Sequence, residues 1–493
     1  MNSVRSKIRQ AYLDLKEKQA QKRSKYFLLY EAIKQSILKA DLPAELQLTP
    51  SRALAKDLDL SRSTVLKAYE LLSLEGYISA IQGSGYQINA INASVNNELP
   101  KVDLEIAYPA LSAVASGFMK NVDSLNTTDD KSVGFRPGLP PLDIFPVNQW
   151  KNLSNSYWRY VKSSALTYSP SSGNEQLKKS LAAYLNLSRG IKCESSQIII
   201  VAGSLQSLYL LGNVIMDPGD SIVVEDPTFP NVKSIFSSLR TQLLGVPLDE
   251  QGIKVEAMDS AAHKRAKLIH LTPSNHYPLG VRMSKKRRLE VLDWARRHNA
   301  FIIENEYEHE INNYSESIPS LFSLDQEART IFLGTFNRLL HPSIRVGYMV
   351  LPPYLIDAVE ALLKHSHRFV TPSIQVVLNQ FIEKKYIYNH IKKVVEVADR
   401  RKGYFIRSFE ELFADRLPLQ SSAVRSLHLL AKVEGKLSDR EIKERMEKEH
   451  ILVHTLSKCA IQQPGTNGLI FGYSSVREQT ARRKLDRMAE LIN

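Results

Sequence analysis

The chain has 493 residues, 43% of them hydrophobic, and 65 Lys and Arg against 52 Asp and Glu give a formal charge of +13. That length exceeds one ordinary domain and can bury a large core, which sets aside disordered and fibrous classes. With only Cys193 and Cys459, no disulfide framework and no cysteine-based zinc site is expected. Residues 1–90 carry 14 basic and 9 acidic side chains, a net +5, which leaves +8 for the rest. The excess favours an anionic partner without locating it. No signal-type apolar run opens MNSVRSKIRQAYLDLKEKQ, and the most apolar stretch, 198–216, is broken by Gly203, Ser204, Gln206 and Ser207. A soluble cytoplasmic protein without membrane contact is expected.

In chain order, residues 1–25 mix charged and apolar positions and predict a basic N-terminal helix on the surface, either touching DNA phosphates or simply solvated. Leu29, Ile33 and Ile37 recur at helical spacing up to Leu38, and Pro43 lies just beyond. A short helix is expected over 51–58 and a turn at Asp59-Leu60. A second helix would start at Arg62, capped by Ser61, with Val65, Tyr69 and Leu72 on one buried face. Gly76 ends it, and residues 77–88 predict a hairpin turned at Gly83, Ser84 and Gly85. Residues 91–134 lack sustained periodicity and read as a linker. Beyond it, the runs QIIIV (197–201), SIVVE (221–225), KLIHLT (267–272) and FIIEN (301–305) alternate with amphipathic stretches. That alternation predicts an α/β domain with a mostly parallel sheet over 135–493.

Helix, turn, helix and wing is the organisation of a DNA reader, whose second helix presents its first residues to base edges. Those residues are Ser61, Arg62, Ser63 and Thr64, with Arg52 on the preceding helix. Arginine can bond guanine bidentately, and small hydroxyls bond bases or phosphates. Residues 26–90 resemble the winged helix-turn-helix of the GntR regulators through P-S-R-x-L-A-x-x-L, S-R-x-T-V-x-x-A-Y-x-x-L, E-G-Y and G-S-G. The resemblance implies DNA contacts at Arg52, Ser61, Arg62, Thr64 and the wing residues Gly83, Ser84 and Gly85. Where the family's wing has an arginine, this chain has Ile81.

The remainder, from FRPGLPPLDIFP (135–146) through VEDPTFP, LTPSNHYPLG, IIENEY and GTFNRLLHPSIRVGY, resembles the class I aminotransferase domain of MocR-type GntR regulators. It implies the fold of pyridoxal phosphate (PLP) dependent transferases and a coenzyme pocket between these loops. Three positions depart from the family. Its lysine, the amine that bonds the coenzyme aldehyde, is replaced by Arg338, a guanidinium that stays protonated and is a poor nucleophile. Its aspartate beside the pyridine nitrogen is replaced by Asn305, which supplies no counter-charge. Strand alternation points the neighbouring Glu304 and Glu306 away from that nitrogen. Its carboxylate-binding arginine is replaced by Ile470.

Other positions are retained. Gly203 and Ser204 open a helix suited to an anion, and Thr335 and Arg345 match phosphate ligands. Phe229 matches the aromatic that stacks on the pyridine, Tyr307 the tyrosine near the ring hydroxyl, and Tyr168 a residue at the dimer-side edge. These positions read either as a surviving anion cup or as contacts that support the fold. Asn275 and His276 either line the pocket or sit in an ordinary loop. His309 and Glu310 lack a third metal ligand.

The expected function is a homodimeric regulator of double-stranded DNA with paired half-sites, sensing a small anionic effector without catalysis. No catalytic residue, metal or covalent cofactor is expected; non-covalent PLP or a PLP-like phosphate ligand fits the retained cup. A carboxylate such as Glu306 filling the site is the alternative. So is an aminotransferase with a fused reader, or a C-terminal half that only dimerises.

Overall fold

The computed structural model describes residues 2–19, 23–82, 85–90, 109–125, 134–312, 318–413, 416–422, 424–434, 437–462 and 466–492. The chain divides into two compact units, Met1–Pro109 and Ala110–Asn493.

In the first unit, α1 (Asn2–Gln19), α2 (Lys25–Leu38), α3 (Ser51–Leu58) and α4 (Arg62–Leu74) precede an antiparallel hairpin of β1 (Ile78–Ile81) and β2 (Gly85–Ile88). Val65, Tyr69 and Leu72 are buried on one face of α4 and meet Leu29, Ile33 and Ile37 of α2. Asp59 adopts the left-handed conformation at φ 51°, ends α3 and turns the chain into α4.

The first helix corrects an expectation. It is not merely a basic surface helix, because Val4, Ile8 and Tyr12 are buried in the same core as α2. Arg5 also donates to Asp57 of α3 at 2.7 Å. One apolar residue every four positions suffices to bury a face, while the basic side chains occupy the other.

In the second unit, α5 (Ala113–Asn121), α6 (Val147–Tyr160) and α7 (Glu175–Arg189) lead into β3 (Ile198–Val201), α8 (Ser204–Ile215), β4 (Ser221–Asp226) and α9 (Pro230–Ser238). The strands continue as β5 (Gln242–Asp249), β6 (Gly252–Ile253), β7 (Leu268–Leu271), β8 (Phe301–Glu306), β9 (Thr330–Thr335) and β10 (Gly347–Val350). They form one eight-stranded sheet in the order β3-β10-β9-β8-β7-β4-β5-β6. From β9 through β8, β7 and β4 to β5 the pairing is parallel, while β10 is antiparallel to β3 and β9. The central strands are buried at nearly every position, as covering both faces with helices requires. A smaller antiparallel sheet, β11 (His428–Lys432), β13 (Gly468–Gly472) and β12 (His454–Thr455), closes a second core around Phe135, Phe405 and Phe409.

Part of the stretch expected as linker belongs to this unit. Phe118 of α5 meets Tyr209 of α8 at 6.0 Å, and Asn121 donates to the Ser238 hydroxyl at 3.1 Å. Gly117 lies so close to α9 that a Cβ there would come within 2.9 Å of the Ser238 carbonyl oxygen. The second unit therefore starts near Ala110, not at 135. A nine-residue helix is too short to show a sustained period.

Candidate functional site

On α4, Arg62 and Ser63 are exposed, and so is Arg52 on α3. Neither arginine has an ion-pair partner among the described residues, which leaves both forks available to a polyanion. Ser61 is committed to the fold: its hydroxyl accepts from the Thr64 N–H at 3.1 Å and lies 2.7 Å from the Thr64 hydroxyl. Gly83 and Ser84 lie outside the described residues. Gly85 opens β2 at φ 99°, a conformation that favours glycine, and Ile81 is 37% exposed at the end of β1.

In the second unit, the carboxyl ends of the parallel strands deliver side chains to one rim, where open α/β sheets bind their ligands. A cavity of about 300 Å³ there is lined by Gly203, Ser204, Phe229, Asn305, Tyr307, Thr335, Arg338 and Arg345, together with Arg136, Gly138, Tyr277 and His454. Eight of the nine sequence-derived pocket residues thus meet in one place. Tyr168 does not line the cavity: it is 81% exposed, with the Arg368 guanidinium 4.9 Å from its ring centre.

Arg338 is held on three sides. Its Nη1 donates to Glu308 Oε1 at 3.1 Å, and its guanidinium lies 4.7 Å from the Tyr307 ring centre and 5.5 Å from that of Phe229. It packs so tightly on Gly138 that a Cβ there would fall 1.8 Å from Nη1. Glu308 is almost wholly buried, and its other oxygen accepts from Asn275, the Ser426 hydroxyl and the Leu427 N–H. The carboxylate that answers Arg338 is therefore Glu308, not Glu306. Glu306 is occupied with Arg189 at 2.9 Å and Ser274 at 2.5 Å, facing away as strand alternation requires. Glu304 pairs with Arg288 and accepts the Leu321 and Phe322 N–H groups.

Asn305 places its amide nitrogen 3.2 Å from Nε2 of His270, whose pKa burial pushes down to about 3. Donation by the amide leaves His270 neutral with its proton on Nδ1, so this corner carries no charge. Phe229 is covered on one face by Tyr277, with centroids 4.1 Å apart and planes within 7°. Asn275 and His276 sit outside the cavity; the Nε2 of His276 lies 3.0 Å from the Pro227 carbonyl oxygen. Ile470 is fully buried in the main core.

The far end differs. Gly203, at φ 109°, caps α8 without a side-chain bond, so the first N–H groups of that helix face the cavity rim. Thr335 ends β9 beside it, and Arg345 is exposed at φ 50° with no ion-pair partner among the described residues. This end can hold an oxyanion. Sequence reasoning missed Gly138, Tyr277, Glu308, Arg136 and His454. Of these, only Arg136 and Gly138 left a local trace, in the R-P-G turn.

PLP is the coenzyme this fold implies, and the residues fit it in part. Its phosphate suits Gly203, Ser204, Thr335 and Arg345. Its reactive groups do not fit: no lysine lines the cavity, no carboxylate faces Asn305, and Tyr277 already stacks on Phe229.

A helix-turn-helix reader beside an aminotransferase-type domain defines a class of two-part regulators, and comparison with known proteins agrees. Residues 25–88 match the family "Bacterial regulatory proteins, gntR family", and residues 139–470 match "Aminotransferase class I and II". The chain belongs to the class I and II aminotransferase family over that second region and has the organisation of MocR-type gntR regulators. It is 28% identical to the probable rhizopine catabolism regulatory protein MocR of Rhizobium meliloti, over 93% of this chain and 92% of that one. It is 30% identical to the pyridoxine biosynthesis regulator PdxR of Corynebacterium glutamicum, over 66% and 65%. Among solved structures, the kynurenine aminotransferase of Pyrococcus horikoshii superposes with a TM-score of 0.66 at 24% identity, over 81% of this chain and 98% of that one. That likeness speaks for the fold alone.

Proposed function

We propose that this transcription regulator uses its aminotransferase-type domain to dimerise and to bind a small anion, without transferring amino groups. The observation that carries this reading is the state of Arg338: a non-nucleophilic guanidinium stands where the reactive amine belongs and is tied to Glu308. The anion end of the same cavity keeps an unpaired arginine, Arg345. Homodimerisation is supported by large apolar side chains left in water on and after α6: Val147 62%, Trp158 61%, Tyr160 72%, Leu166 61% and Tyr168 81% exposed. A second copy is the occupant proposed for that face. It would bring two readers to paired half-sites and Tyr168 to the edge of the partner pocket.

The test mixes the purified protein with PLP, treats it with borohydride and weighs the intact chain. The expected result is an unmodified mass and no amino-group transfer to a 2-oxo acid. A reduced adduct on any lysine of the pocket, or measurable transamination, overturns the non-catalytic reading. Thermal-shift titration with inorganic phosphate addresses the ligand: stabilisation is expected in the wild type and is lost in Arg345→Ala.

A further inference from the structure

Resting on the anion-binding reading above, we propose that Arg136 and His454 form a second recognition point in the same cavity, for a carboxylate. The ligand class is then a small two-ended anion, with an oxyanion such as phosphate at Arg345 and a carboxylate at Arg136.

The argument starts from the small sheet. Ile470 on β13 and His454 on β12 are directly paired in the antiparallel register, so their side chains share one face. Ile470 is closed into the core, while His454 lines the cavity. Gly472 is two residues along β13 on that same face. Its N–H donates to the Phe135 carbonyl at 2.7 Å, and a Cβ on it would lie 1.9 Å from the Arg136 carbonyl oxygen. Only a glycine lets the 135–138 turn lie this close against the strand, and that contact sets Arg136 at the cavity wall.

An arginine thus reaches this end of the cavity from a turn more than 300 residues earlier in the chain, although β13 itself supplies none. His454 is 91% buried, and its Nδ1 has no hydrogen-bond partner among the described residues. Burial and the neighbouring cations Lys458 and Arg136 keep its imidazole neutral. A neutral imidazole brings no positive charge of its own but can donate one N–H. A guanidinium beside it supplies the charge and the fork that a carboxylate favours. At the opposite end, Arg345 and the start of α8 suit an oxyanion, so the two poles face a single volume of about 300 Å³.

The test compares two probes that differ by one carboxylate, 3-phosphoglycerate and glycerol 3-phosphate, by calorimetry on the full chain. The wild type is expected to bind 3-phosphoglycerate roughly ten- to a hundredfold more tightly, as a charged hydrogen-bonded contact implies. Arg136→Met should remove that preference and leave glycerol 3-phosphate unchanged. Arg345→Ala should weaken both probes alike. Should Arg136→Met fail to fold, Arg136→Lys decides: the charge without the fork should shrink the preference but not erase it. Equal affinity for the two probes in the wild type overturns the proposal. So does a preference that survives the folded Arg136 variant unchanged. Failure of the anion-binding reading looks different: neither probe binds, nor does inorganic phosphate, and both ideas fall together.

Discussion

At the scale of single residues, buried charge decides most of the chemistry. Glu225 on β4 is completely buried, and its Oε2 accepts from the N–H and hydroxyl of Thr272 at 2.9 and 2.8 Å. Burial pushes its carboxyl up to about 7, and the nearby His276, itself held down to about 3 by burial, offers no counter-charge. A folded-state pKa above the ordinary value means that stability is fully present at low pH and is lost as pH rises through about 7. Glu225→Gln keeps an acceptor for Thr272 and removes the charge. Denaturant melts should show the variant gaining on the wild type between pH 5 and 8 by on the order of 2 kcal/mol. A gap that does not move with pH would refute this account. Arg338 and Glu308 make the complementary case. Replacing Arg338 by Ala strands a buried carboxylate and should cost about 3 kcal/mol, whereas Arg338→Lys keeps a charge there and should melt closer to the wild type.

At the scale of elements, α4 carries two separable duties. Ser61 is its N-cap, so Ser61→Ala should lower the stability of the first unit by about 1 kcal/mol. Arg62, exposed one residue later, contributes nothing visible to packing. Arg62→Ala should leave melting unchanged and weaken specific DNA binding by about 1–3 kcal/mol, relaxing base preference at one position. Unchanged affinity in a gel-shift series would misplace the recognition helix. The docked α5 is a further element with its own test. Gly117→Val drives a branched side chain against the Ser238 carbonyl and should undock the helix. Limited proteolysis should then cleave near residues 110–125 faster than in the wild type, and equal rates would argue that the contact is dispensable.

At the scale of the whole molecule, a +13 chain with a phosphate-facing reader should lose DNA affinity steeply with salt, the logarithm of the binding constant falling linearly with that of the salt concentration. Tyr160→Asp combined with Leu166→Asp should shift the mass measured by light scattering from dimer to monomer, and an unshifted dimer would place the interface elsewhere. What the sequence by itself determined is what local pattern and intrinsic chemistry can encode. The period of α4 and its Ser61 cap, the buried strands at 197–201 and 301–305, and the incapacity of Arg338 as a nucleophile all follow from neighbouring residues or from one side chain. Only the tertiary structure decided which groups answer one another. Glu308 reaches Arg338 across 30 residues and Ser426 across 118, Tyr277 arrives from a separate loop to stack on Phe229, and Arg136 meets the cavity that His454 lines. The physical reason is that such pairings depend on where strands end and turns fold back, and those distances leave no periodic trace along the chain. The helices at 2–19 and 113–121 show the same limit: what places each of them is packing against residues far away in the chain, and a few apolar positions among charges or a single short turn of pattern could not announce it.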